Sequence, residues 1–262
     1  MPGENTWTVK FTEQKIDAGD SILIAGLPGI GNVGKIVADF LVDQLKAVKV
    51  CEFYSYSMPH SVFVREDNLV QMPMIELYFA ERDGRKLLLL TGDSQPVDEQ
   101  GCYSFCEKLL DILQEKKCRE IITLGGIGLN SIPKSPKIYI TGNDVQLIEE
   151  YKKGTSMNSS VFGVVGPIIG VSGLLVGLSK RRELKSVSIL AETFGHPMFL
   201  GLKSAREILD VLNAKLNLAI NTKNLDKEIK DFESKMKISE ELGFPVRKKG
   251  SSKDRRDVSY IG

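Results

Sequence analysis

From Ser21 to Lys35 the chain reads Ser-Ile-Leu-Ile-Ala-Gly-Leu-Pro-Gly-Ile-Gly-Asn-Val-Gly-Lys, an apolar β-branched run that breaks at glycine and reopens as an amphipathic helix. A strand that passes through a tight glycine turn into a helix is the start of a βαβ unit, and it commits the chain to an α/β sheet. The rest of the sequence repeats the alternation. Strand-like runs at Ser21–Ala25, Val48–Tyr54, Lys86–Leu90, Glu120–Leu124 and Ser186–Leu190 are interleaved with three apolar helical faces. These faces are Val33, Ile36, Val37, Phe40, Leu41 and Leu45; then Cys102, Cys106, Leu109 and Leu113; then Ala205, Ile208, Leu209, Leu212 and Leu216. One pair of runs departs from parallel order. Met74–Glu81 and Lys86–Leu90 meet across Asp83-Gly84, a two-residue hairpin signal, so the sheet is mixed. With 262 residues and 42% hydrophobic content, the expected architecture is a single three-layer α/β domain over residues 1–221, a mixed central sheet flanked by helices.

The glycine run spells two nucleotide motifs. Gly29, Gly31 and Gly34 form G-x-G-x-x-G, and Gly29 to Lys35 form G-x-x-x-x-G-K. The second motif needs a Ser or Thr hydroxyl next to ligate magnesium, and Ile36 stands there, which argues against nucleotide hydrolysis. The first needs an acid closing the second strand. Glu52 instead lies inside Val48–Tyr54, and the following hairpin breaks the dinucleotide-fold order. The glycines are therefore expected to be architectural, letting the loop turn and the helix approach the sheet. Gly26–Gly29, Thr91–Gln95, Gly125–Gly128 and Glu192–His196 read as loops after strands. In a parallel sheet they gather at one edge, giving a candidate cleft bordered by Gly29, Gly31, Gly34, Asp93, Glu192 and His196. There Asp93, Glu192 and His196 are candidates for acid or base chemistry, and the turn before the helix offers an anion site for a nucleoside- or phosphate-binding enzyme. Alternatively, Asp93 caps a turn and Glu192 pairs locally.

The four cysteines, Cys51, Cys102, Cys106 and Cys118, lack paired metal spacing, and Cys102 and Cys106 are read as core packing, consistent with a reducing cytoplasm. No basic region followed by an apolar run opens the sequence, so no signal peptide is expected. Gly154–Ser179 is free of charge and long enough to span a bilayer. Its five glycines in Gly163–Gly177 and its Pro167 instead suggest a buried strand, a tight turn and a helix pressed on the sheet. After Asn221, Leu225, Ile229, Phe232, Met236 and Leu242 mark an amphipathic helix over 222–244, stopped by Gly243-Phe-Pro245. Residues 245–262 read as a flexible basic tail. Six basic residues from Arg247 to Arg256 against Asp254 and Asp257 give it +4, leaving −3 on the rest of a chain whose formal charge is +1. An acidic body and a short basic patch with one aromatic argue against a nucleic-acid partner. The tail ends in an apolar tip, Val258-Ser-Tyr-Ile-Gly262, and its tether of thirteen residues has an r.m.s. span of roughly 20 Å.

Four segments taken in order, Ala25–Lys35, Leu90-Thr-Gly-Asp-Ser-Gln-Pro96, Leu124-Gly-Gly126 and Ala191-Glu-Thr193 followed by the Ala205 helix, resemble the proteasome assembly chaperone 2 family over roughly residues 20–240. The resemblance implies a phosphorylase-like α/β fold, a homo-oligomer, no cofactor, and a partner in the proteasome core particle or its α-subunits, with neither membrane nor nucleic acid involved. Relatives often end in a hydrophobic-tyrosine-any motif that enters pockets between α-subunits. By that likeness Tyr260, Ile261 and the carboxylate of Gly262 are the partner-binding residues. The usual tyrosine is penultimate. Here it stands third from the end, which shifts the docking register by one residue.

Overall fold

A computed structural model describes residues 7–13, 16–163, 166–223, 225–227 and 229–230. The elements run β1 (Thr8–Phe11), β2 (Ile22–Ala25), α1 (Val33–Gln44), β3 (Val48–Tyr54), β4 (Phe63–Val64), β5 (Val70–Gln71), β6 (Ile75–Arg82), β7 (Arg85–Gly92), α2 (Glu99–Glu115), β8 (Glu120–Leu129), β9 (Ile138–Gly142), α3 (Val145–Lys152), α4 (Val171–Ser179), β10 (Lys185–Phe194) and α5 (Leu202–Leu216). Eight strands form one mixed sheet in the order β1-β3-β6-β7-β2-β8-β10-β9, and β4 pairs with β5 as a separate ribbon. The four strands β7, β2, β8 and β10 are parallel to their neighbours in that block. β9 closes one side antiparallel to β10, and β6, β3 and β1 extend the other side in alternating directions. The three-layer mixed α/β reading holds.

The central strands are apolar at every position because both faces are covered. Leu23 and Ala25 of β2 point into a core with Leu88, Leu90, Ile121, Phe105 and Leu109, under α2 and α4. Ile22 and Ile24 point the other way, to Leu87, Leu89, Ile122, Val37, Leu41 and Ile208, under α1 and α5. All four cysteines are buried free thiols. Burial pushes Cys51 up to about 12. The Asp83-Gly84 turn joins β6 to β7 with positive φ at both residues (49° and 75°) and Arg82 opposite Arg85, as the two-residue hairpin predicts. Asp98 starts α2 by accepting from the Gly101 N–H at 2.6 Å.

The layer made by α1, α3 and α5 covers β9 through α3 but leaves one face of β1 and β3 partly open. On that face the register aligns Lys10, Glu52, Glu76 and Thr91 across β1, β3, β6 and β7. Lys49 pairs there with Glu52 at 2.7 Å and Glu76 at 2.5 Å, and Tyr78 donates to Glu76 at 2.9 Å.

Two expectations are corrected. Gly125–Gly128 is not a loop: it lies within β8, paired to Leu190–Thr193 of β10, and β7 and β10 likewise run on through Gly92 and Phe194. A Cβ on Gly126 would stand 2.2 Å from the Ile30 carbonyl oxygen, so these glycines keep the strand thin where another loop presses on it. Nor does the stretch before α4 supply a strand. Among its described residues there are only isolated bridge positions, such as Asn158 with Tyr139, while Val161 and Ile168 pack on Ile127, Tyr139 and Leu190. Gly163, Gly166, Pro167 and Gly170 deny that run a ladder. The helix expected over 222–244 begins as read: residues 223, 225–227 and 229–230 are helical and Leu225 is buried on the α1/α5 layer. Its remainder and the 245–262 tail lie outside the described residues.

Candidate functional site

Because β7, β2, β8 and β10 run parallel, the segments that follow them emerge at one carboxyl edge of the sheet, as the sequence requires. The glycine turn after β2 sits at its centre. A Cβ on Gly26 would stand 2.0 Å from the Gly34 oxygen, and one on Gly34 would stand 2.6 Å from the Leu124 oxygen, so α1 crosses the sheet at backbone contact. Gly31 has φ +63°, and a side chain there would meet Thr193 Oγ1 at 2.7 Å. Gly29 is different: its φ of −164° is extended backbone open to any residue. The turn's own carbonyls are engaged. Pro28 accepts from Gln95 Nε2 at 2.5 Å, Gly29 from the Asn32 N–H at 2.9 Å, and Gly31 from the Gly201 N–H at 2.8 Å. Thr193 and Gly201 thus occupy the space against Gly31, and the fully buried Thr193 hydroxyl has no hydrogen-bond partner among the described residues. Lys35 is drawn along α1 to Asp39, 2.8 Å away, whose other oxygen accepts from Thr91 Oγ1 at 2.5 Å.

Gln95 ties three segments together. Its Nε2 donates to the glycine turn at Pro28, and its Oε1 accepts from the Val171 N–H at 3.0 Å, capping α4. The backbone at Gly170 makes room for it with φ +80°. The anion-favouring end of α4 is therefore filled by a neutral carboxamide.

At the edge each of the three titratable candidates has hydrogen-bond partners of its own. Asp93 is exposed and accepts from the Met74 N–H at 3.2 Å, fastening the loop to the start of β6. Glu192 lies within β10, accepting from Tyr139 Oη at 3.0 Å and the Lys137 N–H at 3.1 Å. Burial, then the Glu192 carboxylate, raises the Tyr139 phenol. His196 is exposed, its Nδ1 accepts from the Met198 N–H at 3.2 Å, and its ring stacks on Phe194. Since β7 and β10 are separated by β2 and β8, Asp93 and Glu192 belong to strands about 14 Å apart. Glu192 pairs with its strand neighbours, whereas Asp93, expected to cap a turn, instead fastens Met74, nineteen residues earlier. No group of three or more His, Cys, Asp or Glu suited to a metal occurs among the described residues, and no described helix is long and apolar enough to cross a membrane.

What the sequence reading did not single out is the apolar character of this same edge. Tyr54 ends β3 and Tyr56 follows it, the β4/β5 ribbon and its flanks present Val62, Phe63, Val64, Leu69, Val70 and Met72, and Val97 follows β7, all exposed. The signal was present in the sequence, where two apolar runs flank Arg65-Glu-Asp-Asn68, a turn that bonds internally through Arg65 N–H to the Leu69 carbonyl and Asn68 N–H to the Arg65 carbonyl. The first described turns of the C-terminal helix are tied to α5, where Asp226 accepts from Arg206 Nε at 2.7 Å. Tyr260, Ile261 and Gly262 lie outside the described residues.

The same arrangement occurs in known proteins. The crystal structure of Pyrococcus furiosus PbaB, an archaeal proteasome activator, superposes with a TM-score of 0.82 at 33% identity, covering 90% of this chain and all of that one. Pyrococcus furiosus PbaA, an archaeal homolog of proteasome-assembly chaperone, shares the fold with a TM-score of 0.73 at 23% identity, over 90% and 92% of the two chains. An uncharacterized protein of Methanocaldococcus jannaschii is 27% identical over 248 residues, 93% of each chain. The sequence model of the PAC2 family matches residues 23–238, and the chain belongs to the PAC2 family.

Proposed function

We propose that this chain is a non-enzymatic, homo-oligomeric proteasome assembly chaperone or core-particle-binding activator that docks its C-terminal tip into pockets between proteasome α-subunits in the cytoplasm. The observation that carries the reading is the end-to-end likeness to PbaB, an archaeal proteasome activator, at 33% identity over its whole length. The carboxyl edge supports it from the chemical side. Gly31 and Gly34 are explained by packing, and Asp93, Glu192 and His196 each serve the backbone or a neighbouring ring.

The tip has the chemistry for docking. Tyr260 and Ile261 supply apolar anchors, on a basic tether that speeds encounter with an acidic surface and makes binding salt-sensitive. Several tips on one oligomer raise avidity without any tip binding tightly. Capture of purified core particles by the immobilised full chain tests the reading. Deletion of Ser259–Gly262 is expected to abolish capture while leaving the oligomer's mass unchanged, with Tyr260→Ala milder. Undiminished capture by the truncated chain refutes the docking role.

A further inference from the structure

The ribbon of β4 and β5 has no core of its own. Residues 61–70 are all exposed, although the segment carries Val62, Phe63, Val64, Leu69 and Val70, with Met72 exposed beyond it. Val64 pairs with Val70 across the ribbon, and they are 70% and 67% exposed; Phe63, which shares the other face with Gln71, is 46% exposed. Both faces are therefore open. A two-stranded ribbon this short is marginal in water with neither face packed, so an apolar surface laid on it stabilises it. Its turn is well made, closed by the bonds between Arg65, Asn68 and Leu69 and by an Arg65–Asp67 ion pair at 3.0 Å. That leaves the missing burial as its one deficit.

The geometry points to a second copy of this chain as the occupant: the β4/β5 ribbon, with Tyr54, Tyr56 and Val97 beside it, is the surface through which copies associate. This rests on the oligomeric part of the function proposed above and assigns it a place. Size is the first argument. Nine large apolar residues, each exposing on the order of 100 Å², offer roughly 900 Å² over both faces of the ribbon and its flanks, on the scale of the ~800 Å² each partner buries in a stable complex. Charge is the second. Those nine residues are uncharged, so copy meets copy without stripping water from an ion, and the polar turn carries both signs, Arg65 against Glu66 and Asp67, which avoids like-charge conflict.

The test is light scattering of the full chain and of a V64D/V70D variant, with Val145→Asp as control on α3, whose 76% exposed position lies at the other end of the strands. Wild type and Val145→Asp are expected at the same multiple of 29.0 kDa, and the double variant at half that mass or less. Single-cysteine variants cover the case in which the charged variant misfolds, since the four native thiols are buried. Val64→Cys and Val70→Cys should cross-link differently tagged copies with a short bismaleimide at least tenfold more than Val145→Cys. Equal cross-linking, or an unchanged mass for a folded V64D/V70D, overturns the assignment. So does an unchanged mass with loss of core-particle capture, which gives the surface to the α-ring instead. A wild type that stays at 29.0 kDa removes the oligomer itself, whereas failure of tail-dependent capture is read on the truncated chain and fails separately.

Discussion

Replacing Gly34 by alanine and Gly177 by alanine makes the same chemical change in two helices, and the structure predicts opposite signs. At Gly177, in the interior of α4, an added Cβ has no atom within 4 Å, so the substitution gains only the lower backbone entropy of alanine, about 1 kcal/mol. At Gly34, in the first turn of α1, the Cβ would lie 2.6 Å from the Leu124 oxygen, where 3.4 Å is the start of ordinary contact, so the helix must retreat by 0.8 Å. Backbone on both sides leaves no flexible side chain to yield. Val33, Val37 and Leu41 are fully buried by that approach and together contribute about 6 kcal/mol. A gap of this width forfeits roughly a third of such contact energy, about 2 kcal/mol, within the usual range for overpacking. Alanine's helical gain offsets at most about 1 kcal/mol, leaving Gly34→Ala destabilised by about 1 kcal/mol. By calorimetry Gly177→Ala should melt about 2–4 °C above wild type and Gly34→Ala about 2–4 °C below it. If Gly34→Ala is stabilised as much as Gly177→Ala, α1 does not touch β8 at the backbone, and the architectural account of the glycine turn is wrong.

Gln95→Leu keeps the shape of the strut but strands the Pro28 carbonyl and the Val171 N–H, so a loss of about 2 kcal/mol is expected, read as a lower urea midpoint at unchanged m-value. Alkaline pH probes the buried neutral groups. Cys51 is pushed from 9.0 to about 12 by burial, and Tyr78 from 10.0 to about 12 by burial and then Glu76. Between pH 9 and 12 the unfolded chain therefore gives up these protons while the folded chain keeps them. Stability contributed by them is complete below pH 9 and declines toward pH 12; a melting temperature that rises over that interval contradicts the burial of both groups.

The central block was legible because two-sided burial writes itself as unbroken apolar runs, as in Ile22-Leu-Ile-Ala25 and Leu87–Leu90. Helices α1, α2 and α5 were legible for the matching reason, one apolar stripe each. The edges were not. β1 has no buried residue, β9 is five residues long, and α3 buries only Leu147 and Tyr151, so none carries a long periodic signal. Gly125–Gly128 read as a strand end because glycine usually punctuates. Here the cause is tertiary, the close passage of Ile30, which local sequence does not encode. At the carboxyl edge the same logic divides the candidates. Gly31 and Gly34 pack as the sequence suggests, whereas the separation of Asp93 from Glu192 depends on strand order, set by partners far away in sequence.

The uneven covering of the sheet has a thermodynamic corollary. Strands β1, β3 and β6 are held to the molecule mainly through the Phe53, Ile75 and Leu77 side, their other face being the Lys10–Thr91 charged row. They form a candidate for sub-global opening at a free energy below that of complete unfolding. The β4/β5 ribbon is spliced between β3 and β6, so it opens with them. Any protein that grips the ribbon closed thereby lowers the population of the opened form through mass action, and the occupancy of that contact is reported by amide exchange in strands it never touches.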